Sequence, residues 1–292
     1  MQHASVRAIA VALALGASSA YAGSFVQLRT DLEELSVLNG GLINGANAPN
    51  ADQLYIETTS ATYLPGLDQT SIPPQDGGTG DVVATSINYR TFSAGVTTGT
   101  GTLTLLDWRV TNDVPLLPGE PQASIYDFVY RDSADNKLVF ATRYLNRVDN
   151  DQEVNFLYRY GFTGYETAAA WTFSTDFDLR MYQAGRTAST SNDAVVPFDA
   201  DPVRQKGDFS VTEGNPWSGL FFVKTNATSY LLGDQAIGFF QAGEEGQDIA
   251  GGFIGGYIPT PVPEPETYAM LLAGLACVGL ALRRRRTERA DR

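Results

Sequence analysis

Histidine and cysteine are almost missing from this chain: its 292 residues include one of each, His3 and Cys277. Neither lies between residues 23 and 258. That stretch therefore has no Ser-His-Asp or Cys-His nucleophile system, no His or Cys zinc site, no c-type haem attachment and no thiol redox pair. It has no disulfide either. That absence does not point to the cytosol, because a domain of more than about 200 residues buries enough core without one. Basic charge is scarce as well. Residues 23–258 hold 29 Asp and Glu against 13 Lys and Arg, a net of −16, which excludes nucleic-acid binding through a basic face. What the chain has in quantity is 14 Tyr, 15 Phe and 29 Gly. Aromatic side chains suit a pleated sheet and glycine supplies turn dihedrals, so strands and tight turns are expected.

The N-terminus reads as a secretory signal. Met1–Arg7 is a short, weakly positive start, and Ala8–Ala17 is a short Ala-rich apolar run. Small residues at Ala20 and Ala22 then fit a signal peptidase site, with cleavage before Gly23. Residues 1–22 are thus expected to direct the chain through the Sec translocon, leaving a secreted acidic domain at 23–258.

Within that domain apolar and polar residues alternate with the period of half-buried strands. The clearest runs are Ile87–Phe92, Leu103–Leu105, Tyr126–Tyr130, Val154–Tyr160 and Phe177–Met181. Shorter apolar runs at Leu220–Val223, Tyr230–Leu232, Ile237–Phe240 and Ile249–Ile254 follow, separated by Gly, Asn and Asp. The expected fold is all-β and mainly antiparallel, a sandwich or jelly-roll-like domain. Ser24–Asp81 is less regular, with one short helix expected at Asp31–Leu38. Pro65–Asp81 and Gly185–Gly207 read as long surface loops.

Acidic clusters are the remaining chemical candidates. Asp149, Asp151 and Glu153 crowd one loop between strand-like runs, Asp132, Asp135 and Asn136 crowd another, and Asp199 stands beside Asp201. Oxygen ligands of this kind suit a weak extracellular Ca²⁺ site, with Asp149, Asp151 and Glu153 as its ligands. The same residues are ordinary turn formers, and that simpler reading is preferred. A carboxylate pair could also hydrolyse glycosidic bonds, but no spacing singles one out. Trp108, Trp171 and Trp217 could stack on sugar rings, although large aromatics in alternating strands usually belong to the core.

The C-terminus is more specific. Pro259–Thr267 is a proline-rich spacer, Tyr268–Leu282 is apolar, and Arg283, Arg284, Arg285 and Arg286 follow, with residues 283–292 as an Arg-rich tail. Alternating prolines favour an extended spacer clear of the sheets. An apolar stretch of about 15 residues spans roughly 22 Å as a helix. That is short for a hydrocarbon core of about 30 Å, and Tyr268 and the arginines can cover part of the difference. The arginines place the tail in the cytoplasm and the β domain outside. The order of Val262-Pro263-Glu264-Pro265, the Leu271–Leu275 core and the Arg run resembles the PEP-CTERM sorting signal of Gram-negative bacteria. The resemblance implies recognition and cleavage by an exosortase, a membrane-embedded cysteine protease, after transient anchoring in the inner membrane. It also implies association with exopolysaccharide or a biofilm matrix at the cell surface. The expectation for the domain is a non-enzymatic structural or binding role, against the alternative of a secreted carbohydrate-active enzyme.

Overall fold

The computed structural model describes residues 25–28, 54–64, 83–93, 96–115, 121–146, 154–174, 178–186, 201–209, 217–241 and 250–260. Every element named among them is a strand: β1 (Val26–Leu28), β2 (Glu57–Tyr63), β3 (Ala84–Ser93), β4 (Val96–Pro115), β5 (Pro121–Asp132), β6 (Leu138–Asn146), β7 (Val154–Arg159), β8 (Thr167–Thr172), β9 (Gln183–Arg186), β10 (Val203–Phe209), β11 (Leu220–Thr225), β12 (Ser229–Gln241) and β13 (Ala250–Thr260). They form two antiparallel sheets, one of eight strands in the order β1-β8-β11-β6-β5-β4-β3-β2 and one of five in the order β13-β12-β7-β10-β9.

The larger sheet rolls up. Its register slips in β4 between Leu105 and Asp107 and again between Thr111 and Val114, with Asp113 at a positive φ of 56°. Bulges of this kind bend a strand and tighten its twist. The roll brings the start of β2 to β8: Tyr55 bridges Trp171, the Ile56 amide donates to the Trp171 carbonyl at 3.0 Å, and the Thr58 and Thr172 hydroxyls meet at 3.0 Å. The inside of the roll is one apolar cluster fed from around the sheet, including Ile87, Leu103, Phe128, Tyr130, Val139, Ala141, Ala170 and Phe222. The alternate residues of the same strands, Ile125, Val129, Phe140 and Phe221, share a second core with Leu157, Val203, Ile237 and Phe239 of the smaller sheet. Phe156, Tyr158, Tyr160 and Phe240 form a third cluster on the other face of that smaller sheet.

The antiparallel all-β expectation holds, with local corrections. Val154–Arg159 is buried on both faces rather than one, because β7 is the central strand of the smaller sheet and both its faces are packed. Tyr230–Leu232 and Ile237–Phe240 are parts of the single strand β12, joined across a register shift. The ends of the expected Gly185–Gly207 loop belong to β9 and β10, where Arg186 and Arg204 are buried charges; the Ser, Thr and Asp between them made the whole segment look like a loop. Of the expected strand Phe177–Met181, residues 178–181 make one isolated bridge, Leu179 to Ser218. Its polar position Asp178 turns inward to an arginine rather than outward to solvent. β13 runs through Pro259 to Thr260, paired with Tyr230 and Ser229. Proline is tolerated there because β13 is an edge strand. The expected signal segment, the helix at Asp31–Leu38, the whole of the Pro65–Asp81 loop and the tail from residue 261 lie outside the described residues.

Candidate sites and the sorting tail

Polar chemistry in the folded region collects at the two ends of the roll and between the sheets. At one end, the β5–β6 turn places Asn136 at a φ of 60°, a conformation that asparagine accepts more readily than most residues. The Asp132 carboxylate there accepts from the Ala134 amide at 3.0 Å, from the Tyr89 hydroxyl at 2.7 Å and from Lys224 Nζ at 2.6 Å. Lys224 also reaches Asp135 at 2.8 Å. Burial works against the Lys224 ammonium, but its hydrogen bonds to Asp132 and Asp135 outweigh that and hold it above the ordinary lysine value. Burial, reinforced by the Asp132 charge, pushes the Tyr89 phenol well above its own. The second acidic cluster of the sequence is thus brought together, with a lysine ammonium in contact with its oxygens. A cleft of roughly 200 Å³ opens beside it, lined by Phe25, Gln27, Asp135, Glu166, Lys224 and Asn226.

At the other end, Arg143 donates to Asp178 at 2.6 Å and to the Ser218 carbonyl at 3.2 Å, with its guanidinium 5.9 Å from the Trp217 ring. Between the sheets, Arg159 of β7 donates to Asp127 of β5 at 2.6 Å and to Thr142 Oγ1 at 3.0 Å. Its other terminal nitrogen donates to the Tyr257 carbonyl at 2.6 Å, and the Tyr257 amide donates back to Asp127 at 2.6 Å. Burial pushes the Asp127 carboxyl above the usual range against the pull of Arg159 and the Tyr257 amide. Arg186 binds Asp201 through two nitrogens and also reaches Thr167 Oγ1 at 3.0 Å. Sequence reasoning missed all three buried arginine pairs.

Trp171 and Trp217 are core residues, while Trp108 is half-buried and stacked on Tyr126 with ring centroids 6.4 Å apart. Asp149, Asp151, Glu153 and Asp199 lie outside the described residues, as do Ala20, Ala22, Gly23, Val262, Pro263, Glu264, Pro265 and Arg283–Arg286. Among the described residues no group of three or more His, Cys, Asp and Glu side chains could hold a metal ion, and no helix is long and apolar enough to cross a membrane.

The last described strand, β13, ends at Thr260, and the sequence continues through a short proline box, an apolar stretch and an arginine run, the order of parts in a C-terminal sorting tail. The family model of the PEP-CTERM protein-sorting motif matches residues 261–286. This chain therefore carries that motif at its C-terminus, which implies export toward the cell surface with an exosortase as processing partner. No curated protein and no solved structure matches the chain.

Proposed function

We propose that this is a surface or extracellular-matrix protein, anchored briefly in the inner membrane and then cut by an exosortase to free an acidic β domain. The domain has a sandwich-like build with one rolled layer, and it serves a non-enzymatic structural or binding role in an exopolysaccharide or biofilm matrix. The observation that carries this reading is the junction: among the described residues the last paired one is Thr260, and the sorting motif begins at residue 261, so the motif follows directly on β13. The non-enzymatic part is supported by the state of the buried carboxylates, since Asp127, Asp132 and Asp178 are each tied to a cation. A glycosidase instead needs a pair of carboxyl groups about 5 to 10 Å apart and free to act on substrate.

Deleting Val262–Pro265 is expected to leave a full-length inner-membrane species, and deleting Tyr268–Arg292 to release unprocessed protein into the periplasm. Mass spectrometry of the protein recovered from the cell surface decides the sorting step, and retention of Arg283–Arg286 there would overturn it. Binding of the purified protein to the producer's own polysaccharide without turnover is the expected result for the domain. Release of reducing ends would favour the carbohydrate-active enzyme.

A further inference from the structure

The end of the domain that leads into the tail has an unusual surface. β12 pairs with β7 only at Ile237–Phe240, so Ser229–Gly233 pairs with Gly256–Thr260 alone, as a two-stranded ribbon. This ribbon carries no charged residue in a domain of net charge −16. Six large apolar side chains are exposed among the described residues, and of these Leu231 and Leu232, 47% and 58% exposed, are the only neighbours in sequence. Half-buried Tyr230 adjoins them. The ribbon closes at Ser229 and Thr260, whose hydroxyls meet at 2.8 Å, and Leu231 is only two strand positions from that closure, roughly 7 Å.

Chain length then limits where this surface can go. Residues 261–267 separate Thr260 from Tyr268, and eight Cα steps reach at most about 28 Å. While the tail is anchored, the ribbon end is therefore held close to the lipid. An acidic domain is repelled by anionic headgroups, so an uncharged ribbon is the surface best able to approach. A short tether raises the effective concentration to the millimolar range, which makes two leucines and a tyrosine sufficient for contact. We propose that, before cleavage, the Ser229–Gly233/Gly256–Thr260 ribbon meets the outer leaflet of the inner membrane edge-on through β12, so that Leu231 and Leu232, on its two faces, both enter the headgroup region. This rests on the anchored-tail reading above. Its consequence is that the domain is oriented when the exosortase meets the box.

The test uses the full chain in vesicles of phosphatidylethanolamine and phosphatidylglycerol. Cys277→Ser removes the native cysteine, and Leu231→Cys, Leu232→Cys or Val96→Cys introduces one position for a polarity-sensitive dye. Val96 is 67% exposed and begins β4, away from the ribbon. Emission at 231 and 232 is expected to be blue-shifted and severalfold more quenched by spin-labelled lipid than at 96. If 231 and 232 match 96 while the chain resists carbonate extraction, the inference falls and the sorting reading stands. A chain that washes off in carbonate refutes the anchored tail and this inference together. A blue shift without lipid quenching that grows with protein density would assign the ribbon to a second copy of this chain, and would also overturn the proposal.

Discussion

Asp127 and Phe128 are adjacent on β5 but face two different interiors. Phe128 points into the rolled sheet, between Tyr126 and Tyr130 with ring centroids 6.2 and 5.9 Å away, in a cluster that is apolar through its middle. The ion pairs of the roll stand at its ends, Asp132 with Lys224 and Arg143 with Asp178. Asp127 points to the second sheet and carries a charge inside the layer, where Arg159 and Tyr257 meet it. A rolled sheet fixes its own register by continuous ladders, so its interior needs only apolar volume. Two separate sheets share no ladder, and the Asp127–Arg159–Tyr257 bonds set how one lies on the other.

The largest effects should separate these two interiors. Asp127→Ala leaves the Arg159 guanidinium buried without its counter-charge and is expected to cost about 3–5 kcal/mol in urea unfolding. Phe128→Ala is expected to cost a similar 3–5 kcal/mol through the cavity it leaves. The distinction lies in rescue. Burial outweighs the attraction at Asp127, so combining Asp127→Leu with Arg159→Met should recover the loss to within about 1 kcal/mol or exceed wild type. If the double replacement is as unstable as the single one, the pair supplies net stability and the two interiors do not differ in this way.

Alkaline titration probes each cluster with its own tyrosine. Burial raises the phenols of Tyr130 in the roll and Tyr144 between the sheets. In the third cluster burial pushes Tyr158 up to about 12, against the pull of Arg204. A phenol raised in the fold keeps its proton there but loses it in the unfolded chain above about pH 10. The unfolded state then gains, and stability falls as pH rises. These phenols should leave stability unchanged below roughly pH 9 and then lower it by up to about 1.4 kcal/mol per pH unit for each such tyrosine. Melting temperature against pH checks the fall, and tyrosinate absorbance should show Tyr158 ionising before the other two. Ionisation of all three at the ordinary phenol pH with the sheet signal intact would contradict their burial.

Smaller effects are expected at two glycines that serve the same two interiors. A Cβ on Gly101 would lie 2.5 Å from the Tyr89 hydroxyl, inside the roll, and one on Gly256 would lie 2.6 Å from Asp127 Oδ2, between the sheets. Alanine at either site should cost about 1–3 kcal/mol by overpacking. Both penalties should persist in the Asp127→Leu, Arg159→Met background, because a leucine Cδ takes the place of the Asp127 oxygen and Ile237 Cδ1 still lies 3.1 Å from the added Cβ of residue 256.

The sequence displayed the strands whose alternation is local and the tail whose three parts stand in order. It hid whatever depends on distant residues. Arg159 reaches Asp127 across 32 positions and Tyr257 across 98, and no spacing rule joins them. The Ser, Thr and Asp of Gly185–Gly207 made the ends of β9 and β10 read as loop, and Arg186 and Arg204 gave no counter-signal, since a buried guanidinium is indistinguishable in sequence from a solvated one. β2 was hidden by its Thr and Ser content. The roll of the larger sheet depends on bulges in β4, which leave little trace in the sequence.

The smallest effect should come from the outer wall of the roll, where Arg90 of β3 pairs with Glu57 of β2 at 2.6 Å. The distance equals that of Arg159 to Asp127, so geometry alone predicts equal importance. Exposure separates them: the Arg90 and Glu57 side chains are 42% and 34% exposed, against 1% and 2% for the buried pair. Water already solvates both outer charges, and salt screens what attraction remains. Arg90 also lies 5.7 Å from the Phe92 ring, a contact that keeps its stem in place when Glu57 is changed. Glu57→Gln should therefore shift stability by less than about 1 kcal/mol, and that small shift should vanish in molar salt. Loss of several kcal/mol from Glu57→Gln would mean that β2 closes the roll through this pair rather than through its backbone bonds to β8. The charges of the outer wall and of the inter-sheet layer would then be doing the same structural job.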